Sequence, residues 1–119
     1  MKLNIATIPH SEQRFGQCGD WWTDLDGTIE IRVSDMRNPP FELAVVLHEI
    51  IEVALCLAAN VSESSVDRFD MEYMGDGEPG DNPAAPYWKQ HVVASICERA
   101  IAHCLNIDWN EYSKAIERL

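Results

Sequence analysis

The chain has 119 residues, 46% of them apolar, which is enough for one domain with its own core and excludes a disordered polymer. Twenty acidic against nine basic residues leave a net charge of −11, a field that repels nucleic acid and anionic membrane and suits a cationic ligand or a divalent metal. No segment has the ~20 apolar residues of a membrane span, and MKLNIATIPH lacks the apolar run and cleavage site of a secretory signal, so a soluble, cytoplasmic protein is expected.

Lys2–Ile8 alternates weakly before Pro9 and predicts a short strand, and His10–Asp20 reads as a loop. After Trp21-Trp22, the pair Asp26-Gly27 has hairpin chemistry, because glycine tolerates positive φ. It opens Thr28–Ser34, where Ile29, Ile31 and Val33 share one face of a strand and Glu30 and Arg32 the other. Asn38-Pro39-Pro40 predicts a helix start near Pro40 or Phe41, since proline in the first turn costs no hydrogen bond. This helix should end near Asn60.

A second helix capped by Ser62 or Ser64 has the apolar stripe Val66, Phe69, Tyr73, with Asp67 and Asp70 opposite. Gly75–Pro86, rich in glycine, proline and acids, is a loop whose Asp76, Glu78 and Asp81 lack EF-hand spacing and read as a solvated acidic turn. The loop stands where it can form one lip of a cleft. A third helix from Pro86 to about Leu105 is expected to bury Val93, Cys97, Ala100, Ile101, Cys104 and Leu105, leaving His91, Ser95, Glu98 and Ala102 on another side. Asp108 and Glu111 match a capping box for a last helix, Trp109–Arg118, with Tyr112, Ile116 and Leu119 inward. The four cysteines make no CxxC pair, and Cys56, Cys97 and Cys104 fall in apolar helical patterns, as reduced core residues would. The fold class that follows is α+β: one domain, residues 1–119, with a small N-terminal antiparallel sheet packed on three to four helices.

Within Leu43–Ala59 only His48, Glu49 and Glu52 are strongly polar, and at about 100° per residue they fall within roughly 100° of arc. A mere solvent-facing stripe would also make Val45, Cys56 and Ala59 polar, and they are not. Burying two carboxylates and an imidazole is costly unless a partner such as a metal ion compensates.

These residues read HExxE. His48 and Glu52, one turn apart, have the spacing of two ligands of one metal, while Glu49 is rotated aside, where it can take a proton from water. The motif, preceded by the strand Thr28–Ser34, resembles the HExxH helix of the zincin metallopeptidases, with glutamate in place of the second histidine, over residues 28–105. The small acidic chain and its LHEIIE helix are also similar to uncharacterised phage-encoded proteins. The zincin resemblance implies a Zn2+ ion, a peptide or amide substrate, Glu49 as general base, and His48 and Glu52 as metal ligands, or else a catalytically impaired relative. His91 on the third helix is the preferred third ligand, restoring two histidines and one carboxylate; Asp67, Asp70, Glu98 and His103 are the alternatives.

Two other readings use the same residues. Glu49 and Glu52 form an ExxE and Asp67 and Asp70 a DxxD, similar to the magnesium-gathering motifs of the all-α nucleotide pyrophosphatases of the MazG type. That resemblance implies Mg2+ at those four carboxylates, departs from the family at Asp67, and leaves His48 without a role. The third reading is a non-enzymatic interaction protein on a zincin-like frame, with Trp21, Trp22, Tyr87 or Trp88 as contact residues.

Overall fold

The computed structural model describes all 119 residues, as three strands followed by four helices, an α+β arrangement. Strands β1 (Leu3–Ile8), β2 (Gly19–Thr23) and β3 (Ile29–Ser34) form one sheet in the order β1-β3-β2. The hairpin signal is realised: Gly27, at φ 85°, donates to the Asp24 carbonyl at 2.9 Å, and β2 pairs antiparallel with β3. The expected antiparallel sheet is nevertheless only half of what forms, because β1 pairs parallel with β3, Ile5 opposite Ile31. Parallel neighbours need a crossover, and residues 9–18 supply it through a 3-10 turn at His10–Glu12. His10 Nδ1 lies 2.8 Å from the hydroxyl of the fully buried Ser34, and the Gln13 amide donates to that hydroxyl at 3.1 Å and to the Cys18 carbonyl at 3.2 Å. The expected loop is therefore shorter than His10–Asp20, since β2 already begins at Gly19.

Helix α1 (Pro39–Ala58) lies against β2 and β3. Asn38 caps it by accepting from the Phe41 amide, two prolines fill its first turn, and Asn60 in the left-handed region ends it. The Val61 amide then reaches the Cys56 carbonyl at 2.9 Å, which closes the helix end in a Schellman turn. Ala44, Val45, Val53 and Cys56 on its inner side join Trp21, Ile29, Ile31 and Val33 of the sheet in the core. Helix α2 (Glu63–Glu72) is capped by Ser62 rather than Ser64, through the Ser65 amide, and buries Val66. Helix α4 (Trp109–Glu117) is capped by Asp108, which accepts from the Glu111 amide at 3.0 Å, and buries Tyr112; Ile116 is half-buried and Leu119 is exposed, against expectation.

Helix α3 (Trp88–Cys104) turns the other way from the expected one. It buries His91, Ala94 and Ala102 against α1, while Val93, Ile96, Ala100, Cys104 and Leu105 are exposed. The physical reason is pairing: His91 and Glu98 have polar partners on α1, and the small side chains Ala94 and Ala102 let the helices approach. Of the cysteines, all free, only Cys56 is fully buried; Cys18 and Cys97 are half-buried and Cys104 is exposed. No helix is long and apolar enough to cross a membrane.

Candidate metal centre

One turn of α1 brings His48 and Glu52 onto the same inner side, and the inverted face of α3 sets His91 opposite them. All three are buried. His48 Nε2 lies 3.3 Å from Glu52 Oε2 and 3.3 Å from His91 Nδ1, and His91 Nδ1 lies 2.9 Å from Glu52 Oε2. Three ligand-type atoms thus form a near-equilateral triangle, close enough to share one metal ion. The three residues singled out from the sequence as ligands are the three that meet here.

Each has a polar partner on its far side. His48 Nδ1 is 2.7 Å from Glu98 Oε2, and the other Glu98 oxygen accepts from the hydroxyl of the buried Tyr112 on α4. His91 Nε2 is 3.1 Å from Asp81 Oδ1 and 3.5 Å from Glu78 Oε2, both on the loop before α3. Glu52 Oε1 accepts from the Trp21 indole at 3.0 Å. Carboxylates behind ligating imidazoles fix the ring orientation and raise ligand basicity. Glu98 thus stands behind the His48 ring, outside the triangle of ligand-type atoms. Trp21 belongs to the site and the core, not to a contact surface.

The other alternative ligands stand outside the triangle, Asp70 on the wall of the same pocket. Asp67 faces Arg14 at 3.4 Å, Asp70 accepts from the Tyr87 hydroxyl, and His103 is exposed near the end of α3. Of the four carboxylates in the magnesium reading, Glu49, Glu52 and Asp70 line one pocket and Asp67 stands outside it.

Electrostatics follow from this packing. Burial by itself would raise the Glu52 pKa, but hydrogen bonds with His48 and His91 outweigh it and hold the carboxylate down at about 2. Burial would likewise lower the His48 pKa, yet Glu52, Glu98 and the charge of Glu49 lift it to about 11. His91 is raised too, its desolvation outweighed by Glu52. Protons on the two imidazoles offset the buried carboxylate charge, and a divalent cation at the same place does the same.

Glu49 behaves differently. It is only 8% exposed, lines the same pocket, and accepts no hydrogen bond from any protein group. Desolvation, then repulsion from Glu52, push its pKa well above the ordinary value. Its place depends on Gly19 of β2, where an added Cβ would fall 2.3 Å from Glu49 Oε1. Gly80 does the same for His91, whose Cγ would be 2.5 Å from such a Cβ. The sequence singles out neither glycine; it places Tyr112 only as an inward residue of the last helix, and Asp81 only in the acidic loop that can form a lip of the cleft.

Compared with known proteins, the chain matches no family model, no curated protein and no solved structure.

Proposed function

We propose that this protein is a zinc-dependent hydrolase of the zincin type, cleaving a peptide or related amide bond, with His48, Glu52 and His91 as the metal ligands and Glu49 as the general base. The observation that carries the reading is the spacing of the ligand atoms, 3.3, 3.3 and 2.9 Å. Ligands at 2.0–2.1 Å from a tetrahedral zinc stand about 3.3–3.4 Å apart, so the triangle needs little adjustment. Two imidazoles and one carboxylate are a zinc set, whereas magnesium prefers oxygen ligands and retained water.

Zinc bound there would supply Lewis acidity, polarising a carbonyl and lowering the pKa of water. The chain's own residues do the rest. Glu98, held by Tyr112, and Asp81 keep the two rings oriented. Glu52 keeps one oxygen toward the histidines and the other on Trp21. Glu49, raised in pKa and free of protein donors, accepts the proton of the attacking water and returns it to the leaving amine.

The test is turnover of a mixed peptide library by zinc-loaded protein, read by mass spectrometry. Cleavage should disappear in Glu49→Gln with zinc content unchanged. Absence of cleavage in the zinc-loaded wild type, or full activity in Glu49→Gln, overturns the reading. Nucleoside triphosphates with magnesium serve as the parallel substrate, and release of pyrophosphate would favour the rival chemistry.

A further inference from the structure

A second cavity of about 520 Å³ adjoins the metal pocket and shares the wall Gln17, Cys18, Asp70, Glu78 and Pro79 with it. Its size is that of a ligand site. Phe15, Tyr73 and Ile116 supply apolar wall, and Asp70, Glu78 and Glu117 are its carboxylates. No lysine or arginine lines either cavity, and Arg14, next to the lining residue Phe15, is occupied by Asp20 at 2.6 Å and Asp67 at 3.4 Å. Glu49, more than nine-tenths buried and without a protein donor, lines the adjoining metal pocket and not this cavity.

We infer that this cavity binds a lysine or arginine side chain of a basic peptide whose backbone reaches the metal pocket, an inference that rests on the hydrolase reading and names its substrate class. An anionic ligand would meet three carboxylates, with His10 as the one basic side chain in the wall. A purely apolar ligand would strip water from those carboxylates without replacing their hydrogen bonds. A long cationic side chain satisfies both parts of the wall: its alkyl stem lies along Phe15 and Tyr73 and its charged head reaches the acids. The chain's net charge of −11 draws the same class of ligand from a distance.

The test uses the zinc-loaded full chain and three fluorescent peptides of one backbone sequence, carrying lysine, norleucine or glutamate at the variable positions, with binding followed by anisotropy. Lysine is expected to bind on the order of tenfold more tightly than norleucine, glutamate not at all, and added salt should weaken the lysine peptide alone. Glu117→Lys, at an exposed position on α4, should cut lysine-peptide affinity by about tenfold with zinc content and the circular-dichroism spectrum unchanged, and Glu117→Gln by less. Equal binding of lysine and norleucine peptides, binding of the glutamate peptide, no binding of any, or indifference to Glu117→Lys overturns the inference. Charge-selective binding without cleavage would instead defeat the hydrolase reading and leave the cavity assignment standing. Cleavage without charge preference does the reverse.

Discussion

Glu52 and Glu49 stand three residues apart on α1 and are buried alike, 5% and 8% exposed, yet they occupy opposite corners of the notch in every chemical respect. At the Glu52 corner each polar atom is held: the carboxylate meets His48, His91 and Trp21, and each histidine has a second carboxylate behind it. At the Glu49 corner nothing donates to the carboxylate, and Gly19 presses close enough to exclude even a methyl group. One corner is built to hold charge in place. The other leaves a buried carboxylate without a protein donor, at a cost in stability.

The comparison breaks most visibly if the two glutamates are neutralised in turn. Glu52→Gln leaves two buried imidazoles without their shared acceptor and should destabilise the metal-free protein by about 3–5 kcal/mol in denaturant titration. Equal stability of that variant would mean the corner is not held by its charges. The two glycines separate the corners by geometry. Gly80→Ala displaces His91 and should lower zinc affinity by about 100-fold, whereas Gly19→Ala should leave zinc affinity within a few-fold and remove hydrolysis by displacing Glu49. Loss of zinc in both variants would merge the two corners into one.

Smaller effects sharpen the picture. Glu98→Gln and Tyr112→Phe act on His48 from behind and should weaken zinc binding by about 10–100-fold and by less, respectively, in competition with a chromogenic chelator. Glu49→Gln should stabilise the metal-free protein at pH 8, read as a higher denaturant midpoint than wild type, because the neutral amide no longer has to be ionised where burial and Glu52 oppose it. A raised carboxyl pKa leaves stability intact below the ordinary 4.5 and removes it as pH rises, so the advantage should vanish at pH 4. The opposite corner carries the opposite sign. Glu52, depressed to about 2, contributes stability above pH 4.5 that is lost as pH falls toward 2, and His48, raised to about 11, contributes stability below pH 6.5 that is lost as pH rises toward 11. Their joint contribution to the metal-free protein is therefore greatest between pH 4.5 and 6.5, and unfolding midpoints measured across pH in wild type and Glu52→Gln should converge at both extremes.

How much of this was legible in the chain depended on whether neighbours in space were neighbours in sequence. The notch on α1 was, because His48 and Glu52 are one turn apart and the apolar background isolates them. Strand β3 was, through the alternation of Ile29, Ile31 and Val33. Strand β2 was hidden because Gly19 and Asp20 are poor strand formers, and the parallel pairing of β1 because it depends on a crossover held by His10, Gln13 and Ser34. On α3 the apolar residues Val93, Ala100, Cys104 and Leu105 argued for the wrong face. What turned the helix was His91 meeting Glu52 and Glu98 meeting His48, contacts across 39 and 50 residues. His91 stands out in the sequence even so, through its imidazole and the proline-bounded loop before it rather than through the facing of its helix. The supporting groups Tyr112, Asp81, Gly19 and Gly80 come from another helix, a loop and a strand, and their roles exist only once the chain is folded.

The most direct measurement is elemental analysis of protein purified without a histidine tag, with its His91→Ala variant alongside. One zinc per chain in the wild type and none retained by His91→Ala through gel filtration is the predicted result. Wild-type protein that carries no zinc and takes up none on reconstitution would contradict the metal centre itself.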